Sequence, residues 1–368
     1  MCGINGILRL SDGALPIDRD ELLRTRDAMA ARGPDGAGAW ASSDGRVALA
    51  SRRLAILDLS ETGAQPMASA DGRFHIVING EIYNFRQLRR ELEGEGVAFH
   101  SHSDTEVVLA LYARQGAAML GRLRGMYGLA IWDDRDKSLL LARDPLGIKP
   151  LYLAMDGRCL RFASQVKALE AGGATSREVD PAGLAGFLLW GSVPEPLTLR
   201  RAVRALPAGH YLLIQNGAVG EPRPQEPVDL PAMTPEQAVE DSVTAHLVSD
   251  VPVAVFLSAG LDSGLIAALA CRHLPEPPAT FTLSFDVLAG TARDEAPLAA
   301  QVARSLGTRH VERRVGRADF PGLWRDALAA MDQPSIDGFN TFMVSRAAHE
   351  AGLKVVLSGL GGDEVFGS

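Results

Sequence analysis

The chain of 368 residues changes its hydrophobic pattern at a proline-rich stretch, residues 221–235. Before this stretch, short β-type segments alternate with Asp-Gly and Asn-Gly turns, a pattern that predicts hairpins. After it, short apolar segments alternate with helical ones, which predicts a parallel sheet with crossover helices. A chain of this length also usually exceeds a single hydrophobic core. We therefore predict an α+β domain over 1–215, a linker over 216–234 and an α/β domain over 235–368.

Each predicted domain has its own order of elements. In the first, helices should cover the sheets, and an Asn-Gly turn at 216–217 should close the last hairpin. In the second, Thr234, Pro235 and Gln237 form a capping box that starts a helix. The predicted strands are 2–10, 47–57, 74–79, 127–132, 138–142, 160–163, 253–257, 280–285, 310–315 and 354–357, and the predicted helices include 19–31, 84–93, 104–115, 235–249, 263–273, 295–306 and 339–351.

The composition excludes several kinds of partner. A formal net charge of −8 argues against a broad surface for nucleic acid or anionic membrane, since either requires a local excess of Lys and Arg. The three cysteines, Cys2, Cys159 and Cys271, are too few and too widely spaced for a disulfide framework or a zinc site. The sequence shows neither a secretory leader nor an apolar run long enough to span a membrane. We therefore expect a cytoplasmic protein with no nucleic-acid or membrane partner.

The cysteine directly after the initiator methionine has a chemical option that an internal cysteine lacks. Removal of Met1 exposes a free α-amino group beside the Cys2 thiol. An α-amine with a pKa near 7.7–8.0 can take the thiol proton and later return it to a leaving group. A lone cysteine at this position is more often a small buried apolar residue. The surrounding motifs favour the nucleophile.

Five short motifs follow one another in the first 104 residues. With them, residues 1–215 resemble the class II glutamine amidotransferases, which share an N-terminal-nucleophile αββα fold. The resemblance implies that Cys2 is the nucleophile and that Asn79 and Gly80 form the oxyanion hole, where two N–H donors can each contribute a few kcal/mol. The motifs are Met-Cys-Gly-Ile (1–4), Arg-Gly-Pro-Asp (32–35), Arg-Leu-Ala-Ile (53–56), Asn-Gly-Glu-Ile-Tyr-Asn (79–84) and Ser-Asp (103–104).

The same resemblance implies a pocket for free glutamine, whose carboxylate and ammonium need opposite partners. Arg53 would hold the carboxylate through its bidentate fork, and Asp104 would accept the ammonium with help from Glu81. Ile56, Asn79 and Gly80 would complete the glutamine contacts. The alternative for the charged residues is a solvated surface position or, for Asp104, the N-cap of a helix that begins at Thr105.

Two motifs of the second domain point to a nucleotide. Residues 258–263, Ser-Ala-Gly-Leu-Asp-Ser, lie between a strand and a helix, where backbone N–H groups can converge on an anion. The segment resembles the pyrophosphate loop of ATP pyrophosphatases, with Ala259 in place of a glycine, although a short loop of this kind can also be purely structural. Residues 358–367 resemble the family segment that contacts ATP and holds magnesium.

These resemblances imply ATP and Mg²⁺ as cofactors. Magnesium prefers hard oxygen ligands shared with phosphate oxygens, and Asp262 and Asp363 are the candidate ligands. The expected ATP contacts are Leu257, Ser258, Gly260, Asp262, Ser263, Val287, Ser358 and Gly359.

Together the two halves resemble glutamine-hydrolysing asparagine synthetases, in which ATP adenylates the aspartate side chain and ammonia displaces AMP. The expected partners are therefore glutamine, ATP and aspartate, and a homodimer is possible in this family. Leu360 stands where the asparagine-forming members carry a glutamate, and residues 331–337 lack an expected arginine, so another carboxylate is an alternative acceptor.

The C-terminal part of the sequence leaves a third hypothesis open. Family members continue well beyond the segment that ends here at Ser368. The expectation is an incomplete synthetase domain, from a gene fragment or a split gene, with a separate C-terminal polypeptide as a possible partner. The third hypothesis is accordingly a glutaminase joined to an inactive nucleotide-binding module.

Overall fold

A computed structural model describes residues 1–11 and 13–367, and it leaves the side chain of Asp363 undescribed. Its contacts divide the chain into two compact units. The first consists of Met1–Leu230 with Asp332–Pro334, and the second of Pro231–Met331 with Ser335–Ser368.

The first unit carries the short strands and turns that the sequence predicts. Its strands are β1 (Gly3–Arg9), β2 (Gly36–Ala41), β3 (Val47–Arg53), β4 (Met67–Ala68), β5 (Phe74–Ile82), β6 (Gly125–Asp133), β7 (Ser138–Arg143), β8 (Tyr152–Met155), β9 (Cys159–Ala163), β10 (Val203–Ala205), β11 (His210–Gln215), β12 (Ala218–Val219) and β13 (Arg223–Pro224). Its helices are α1 (Arg19–Asp27), α2 (Phe85–Gly94), α3 (Asp104–Gln115), α4 (Val166–Gly172) and α5 (Pro181–Trp190), with 3₁₀ turns at Glu61–Gly63 and Gly116–Arg122.

Two antiparallel sheets form the centre of this unit. Their strand orders are β10-β8-β9-β1-β3-β2 and β12-β11-β7-β6-β5-β4, with β13 beside β11. One buried core joins both sheets, with Ile4 and Phe162 from the first packed with Val77, Trp132 and Leu141 from the second. Helices α1 and α4 contact the first sheet, and α3 contacts the second and packs with α2. This layering confirms the predicted αββα sandwich.

The last hairpin of the first unit follows from its turn residues. Asn216 and Gly217 both have positive φ angles, 50° and 79°, as a two-residue turn matched to the strand twist requires. Ile214 of β11 pairs with Val219 of β12, and β13 pairs with β11 from its other end. Residues that the sequence assigns to a linker thus contribute strands to the second sheet.

Residues 332–334 join the first unit through hydrogen bonds from its backbone to Asp332 and to Gln333, whose Oε1 accepts the N–H of Leu199 at 2.8 Å. The N-cap residue of α4, Gln165, makes no side-chain capping bond. The Asp332 carboxylate instead accepts hydrogen bonds from the N–H groups of Val166 (3.0 Å) and Lys167 (2.9 Å). A carboxylate at a helix N-terminus accepts hydrogen bonds from N–H groups that have no partner within the helix, and it interacts favourably with the positive end of the helix dipole.

The second unit alternates strands and helices. Its elements are α6 (Pro235–His246), β14 (Val253–Phe256), α7 (Leu261–His273), β15 (Ala279–Phe285), α8 (Ala296–Leu306), β16 (Arg309–Val315), α9 (Phe320–Ala330), α10 (Gly338–Glu350), β17 (Val355–Leu357) and α11 (Gly362–Phe366), with a 3₁₀ turn at Asp286–Leu288. The predicted capping box of α6 is present, since Thr234 and Gln237 exchange side-chain and backbone hydrogen bonds.

The strands of the second unit form the predicted parallel sheet. Its order is β16-β15-β14-β17, and each neighbouring pair is parallel. The carboxyl ends of parallel strands lie at the same edge of a sheet, so the segments that follow β14, β15 and β17 lie close together. Ligands of such sheets bind in the crevice at this edge. Among the helices of the described residues, none combines the length and apolar character of a membrane-spanning segment.

Candidate active site

Cys2 lies immediately before β1, where backbone contacts hold it on both sides. Its sulfur is 3.4 Å from the N–H of Leu54 and 3.7 Å from the carbonyl of the same residue. The Arg32 Nε donates a hydrogen bond of 2.9 Å to the Cys2 carbonyl. Residue 2 is therefore fixed although it is almost at the end of the chain.

A cavity of about 50 Å³ opens beside Cys2. Met1 is part of its lining, and burial lowers the pKa of the Met1 amine to about 6. The Cys2 and Glu81 charges oppose this shift, whereas Arg32 and Lys149 reinforce it. The sequence-predicted residues of the glutaminase site all line the cavity: Cys2, Arg53, Ile56, Asn79, Gly80, Glu81 and Asp104.

Asn79 and Gly80 stand next to each other on β5. Asn79 is 1% exposed, and its buried Nδ2 has no hydrogen-bond partner in the described structure. A buried donor without a partner costs about 1–3 kcal/mol, and this amide has a free N–H that could donate to a bound ligand. A Cβ at Gly80 would lie 2.4 Å from the Met126 carbonyl oxygen, which explains the glycine.

The Arg53 guanidinium is held by the carbonyls of the turn that follows it. It donates to Ser60 (2.9 Å), Leu57 (3.2 Å) and Asp58. The Asp58 carboxylate in turn accepts hydrogen bonds within the turn and from the N–H of His102 (2.9 Å). The cation at the cavity wall is thus prepositioned before any ligand arrives.

The two carboxylates of the cavity, Glu81 and Asp104, both have raised pKa values. Burial raises the pKa of Glu81 to about 7, with a smaller contribution from Asp104, while Lys149 opposes the shift. Burial likewise raises the pKa of Asp104, although the Ile82 N–H, at 2.9 Å, stabilises its charged form. A ligand ammonium would favour the ionised form of both.

The alternative role considered for Asp104 is wrong. Ser103 is the N-cap of α3, because its hydroxyl accepts the N–H of Thr105, and Asp104 is already the first helical residue. The Asp104 carboxylate instead accepts the N–H of Ile82, the last residue of β5. Sequence reasoning missed this arrangement because both residue types are good caps.

Sequence reasoning also missed Lys149, which lines the same cavity. It follows β7 in the segment Asp144-Pro-Leu-Gly-Ile-Lys-Pro150, where Gly147 has a φ of 66°. The turn chemistry of that segment was the available signal, since functional side chains often lie on loops that a rigid sheet positions.

The second unit contains a larger cavity of about 1090 Å³ at the carboxyl ends of its strands. Val287 does not line it; this residue lies in the 3₁₀ turn after β15 with 74% of its surface exposed. The other ATP-contact predictions lie in the lining: Leu257, Ser258, Gly260, Asp262, Ser263, Ser358 and Gly359.

The loop between β14 and α7 is built around two serines. The Ser258 and Ser263 hydroxyls are 2.9 Å apart, and Ser258 Oγ also accepts the N–H of Gly260 at 3.1 Å. The N-cap of α7, Gly260, offers no side-chain cap. The N–H groups of the first helical turn therefore remain available for an anion such as a phosphate.

The segment after β17 packs tightly against the start of α7. A Cβ at Gly359 would lie 2.9 Å from the Asp262 Cβ, and one at Gly362 would lie 2.4 Å from an Asp262 carboxylate oxygen. Leu360 lines the cavity with 86% of its surface exposed. Backbone glycines thus bring the two predicted nucleotide motifs together around one carboxylate.

Only part of the predicted metal site can be placed. Asp262 lines the cavity, whereas the Asp363 side chain lies outside the described residues. Within those residues, no three His, Cys, Asp or Glu side chains are grouped to hold a metal. Magnesium bound mainly by phosphate oxygens needs only one or two carboxylates, so Asp262 fits that role.

Comparison with known proteins identifies a family model for each part of the chain. A model of the glutamine amidotransferase domain matches residues 1–223, so the chain belongs to the family of proteins that carry this domain. The asparagine synthase model matches residues 235–368.

Three curated relatives illustrate the likeness. Asparagine synthetase (glutamine-hydrolyzing) 1 of Bacillus subtilis is 34% identical over 100% of this chain and 58% of its own length. Asparagine synthetase B (glutamine-hydrolyzing) of Escherichia coli is 34% identical over 100% and 64%. Amidase chry2 of Gibberella zeae is 30% identical over 95% and 55%. The chain thus spans about three fifths of the length of the curated relatives it matches.

Proposed function

We propose that this protein is a glutamine-dependent amidotransferase of the asparagine synthetase type. It hydrolyses glutamine at Cys2 and transfers the ammonia to a carboxylate adenylated by ATP, converting aspartate to asparagine with release of AMP and pyrophosphate. The observation that carries the proposal is one small cavity that joins the Cys2 sulfur, the unpartnered Asn79 amide and the charged pair of Arg53 and Asp104.

The glutaminase step uses the residues of that cavity. After removal of Met1, the Cys2 α-amine takes the thiol proton, and the sulfur attacks the side-chain amide carbon of glutamine. The negative charge on the amide oxygen is stabilised by Asn79 Nδ2 and the Gly80 N–H. The amine then returns the proton to the departing amide nitrogen, and the carbon–nitrogen bond breaks to release ammonia. Water hydrolyses the thioester to glutamate and restores the thiol.

The charged residues select the substrate in this proposal. Arg53 binds the α-carboxylate of glutamine, while Asp104 and Glu81 face its ammonium. The cavity with Met1 in place is only about 50 Å³, so removal of Met1 provides both the base and space for the substrate.

Three free cysteines agree with the reducing cytoplasm as the location.

The second unit would bind ATP in its large cavity, with the phosphates at the N-terminus of α7. Asp262, with Asp363, would hold Mg²⁺, which neutralises phosphate charge when the carboxylate is adenylated. Leu360 is the observation that favours a second candidate, an acceptor other than aspartate, because an exposed leucine on the cavity wall cannot exchange protons with incoming ammonia.

The experiment that tests the proposal measures ammonia from glutamine and AMP from ATP. Protein whose N-terminus is verified as Cys2 is compared with Cys2→Ala and with Cys271→Ala, which removes a cysteine of the second unit. We expect ammonia from wild type and Cys271→Ala but not from Cys2→Ala. Absence of ammonia from wild type would overturn the glutaminase assignment.

The acceptor is decided by AMP formation in the same assay. AMP that depends on aspartate supports asparagine synthesis, and AMP that depends on another carboxylate supports the second candidate. Ammonia without AMP for any acceptor, but with AMP after addition of a polypeptide covering the remaining length of the relatives, would identify that polypeptide as a required partner. Ammonia without AMP in both cases would leave a glutaminase with an inactive nucleotide-binding module.

A further inference from the structure

Gln65 lies in the lining of the small cavity of the first unit, and the proposed mechanism leaves it without a task. Its side-chain amide contacts two other parts of the lining. The Oε1 atom accepts the N–H of Ile78 at 2.8 Å, and Nε2 donates to the Thr105 hydroxyl at 3.4 Å. Ile78 precedes Asn79, and Thr105 follows Asp104. One side chain therefore joins the neighbour of the proposed oxyanion donor to the neighbour of the proposed ammonium acceptor.

The contact with β5 continues the edge of the second sheet beyond β4. The register of these two strands places Met67 opposite Ile76, so residue 65 falls opposite Ile78. The backbone carbonyl of Gln65 accepts the Ser51 hydroxyl at 2.7 Å, and the side-chain Oε1 takes the N–H of Ile78 instead. A buried backbone N–H needs an acceptor, so this bond holds the Gln65 side chain against β5.

The contact with α3 reaches the Asp104 carboxylate through one further residue. Thr105 is 2% exposed, and its hydroxyl oxygen lies 3.4 Å from Gln65 Nε2 and 3.5 Å from Asp104 Oδ1. The other carboxylate oxygen of Asp104 accepts the N–H of Ile82 at 2.9 Å. Gln65 and Asp104 thus join α3 to β5 at two places, and Asn79 lies between these places along the strand.

We propose that Gln65 is a positioning residue that fixes the separation between Asn79 and Asp104, and thereby the length of the substrate that the cavity accepts. In the proposed reaction the amide oxygen of the substrate meets Asn79 and its ammonium meets Asp104. Asparagine is one methylene shorter than glutamine, so it cannot reach both groups when their separation is fixed. A misplacement of about 1 Å can lower a rate by about 10²-fold, so this constraint selects glutamine.

This inference rests on the proposed role of Cys2 as nucleophile, and its test avoids turnover. Protein that lacks Met1 is treated with two diazo ketones, the analogues of glutamine and of asparagine in which a diazomethyl group replaces the amide NH₂. The diazo carbon takes up a proton and forms a bond to the Cys2 sulfur as dinitrogen leaves. Mass spectrometry gives the rate of modification, and iodoacetamide, which has no ammonium, reports the accessibility of the thiol.

The proteins compared are wild type, Gln65→Met, Thr105→Val and the double variant. Gln65→Met removes both hydrogen bonds of the amide, and Thr105→Val removes the hydroxyl but keeps a branched side chain. Gln225→Met is the matched control, because Gln225 is outside the lining of the cavity. Its amide also joins two parts of the first unit, since Oε1 accepts the Tyr127 hydroxyl at 2.7 Å and Nε2 donates to the Arg143 carbonyl at 2.6 Å.

We expect wild type to react about 10–200-fold faster with the glutamine analogue than with the asparagine analogue, which is the discrimination that one methylene provides. In Gln65→Met this ratio should fall about tenfold, while the rate with iodoacetamide stays unchanged. Thr105→Val should lower the ratio in the same direction. The double variant should match Gln65→Met, because residues that act through one contact have non-additive effects. Gln225→Met should keep the wild-type ratio.

An unchanged ratio in Gln65→Met, with its thermal unfolding still cooperative, would overturn the proposal. Equal rates of wild type with the two analogues, or an equal fall of the ratio in Gln225→Met, would overturn it as well. If Gln65→Met does not fold, Thr105→Val decides by the same ratio.

Failure of this inference and failure of the proposed function are separate results. If wild type releases no ammonia from glutamine, the proposed function fails, yet the two analogues still show whether Gln65 sets the accepted length. If wild type releases ammonia and the ratio does not change in Gln65→Met, only the inference about Gln65 fails.

Discussion

The two candidate sites of this chain are built in contrasting ways. The cavity beside Cys2 is small, about 50 Å³. Its Asn79 and Asp104 side chains are buried, and its Arg53 guanidinium is partly buried and held by backbone carbonyls. The cavity of the second unit is about 1090 Å³, and it is bordered by apolar side chains that face solvent, such as Leu261 with 92% of its surface exposed. The first site is thus a small cavity lined by several polar side chains, and the second is a wide cavity lined largely by loops and helix ends.

This difference matches the chemistry proposed for each site. Stabilising an oxyanion requires fixed donors in a dry environment, where each donor contributes most. Binding a nucleotide requires a helix N-terminus, glycines that permit close approach and one or two carboxylates, which a loop edge of a parallel sheet provides. Substitution of an oxyanion donor in the first unit should therefore reduce turnover, and substitution of a glycine at the second cavity should reduce affinity.

The largest effect is expected at Asn79. Replacement of Asn79 by Ala removes one oxyanion donor and should lower kcat for glutamine hydrolysis by about 10²–10³. The free energy of unfolding should change little, because Asn79 Nδ2 makes no hydrogen bond that the substitution could remove. Steady-state kinetics with thermal unfolding checks both. A kcat close to wild type would show that this site does not depend on prepositioned donors.

The pH dependence of stability tests whether the Glu81 carboxylate is shielded from water in the first cavity. Burial raises the pKa of Glu81 from 4.5 to about 7, so the folded protein keeps a proton that the unfolded chain has released. The free energy of unfolding of wild type should therefore decrease as the pH rises from about 4.5 to about 7, by an amount on the order of 3 kcal/mol.

Glu81→Gln should remove this dependence, because the amide does not titrate in that range. Urea unfolding of both proteins at a series of pH values measures it. The control is Glu221→Gln at an exposed position, which should retain the wild-type profile. Parallel profiles for wild type and Glu81→Gln would mean that the carboxylate is hydrated in the folded state.

In the second unit, Gly359→Ala should weaken ATP binding by roughly tenfold while leaving glutamine hydrolysis unchanged. The added Cβ would approach the Asp262 Cβ to 2.9 Å and the Ser263 N to 3.1 Å, so the two nucleotide motifs must separate. Isothermal titration with ATP measures the change.

The matched control for that substitution is Gly264→Ala. A Cβ at this helical position meets nothing within 4 Å, so the variant should be more stable by about 0.5–1 kcal/mol and bind ATP as before. Equal effects of the two substitutions would contradict the packing explanation.

The smallest expected effect concerns Asp58, which organises the turn around Arg53. Its carboxylate accepts hydrogen bonds from Ser60, Thr62 and His102. Asp58→Asn should raise KM for glutamine about fivefold with little change in kcat, since loss of such bonds costs about 1 kcal/mol. Asp71→Asn is the control, because Asp71 caps another turn through the Ser69 hydroxyl and the Arg73 N–H. A change in kcat rather than KM would place Asp58 in the chemistry instead.

Much of the fold could be predicted because its signals are local. The Asn216-Gly217 hairpin and the capping box at Thr234 depend on residues within a few positions of each other, and both are present. Strand β2 escaped prediction because Gly36–Ala41 is rich in glycine and alanine, and the strand is formed by its pairing with β3 rather than by propensity.

The two fold classes and the motif residues of both cavities could be predicted from sequence, because motif spacing and turn chemistry are properties of neighbouring residues. The tertiary contacts alone brought Lys149 into the cavity of Cys2, separated Val287 from the cavity of the second unit and placed Asp332 at the start of α4. These relations join residues far apart in the chain. They depend on strand order, on burial and on which buried donors and charges find partners, and none of these is written in a local pattern.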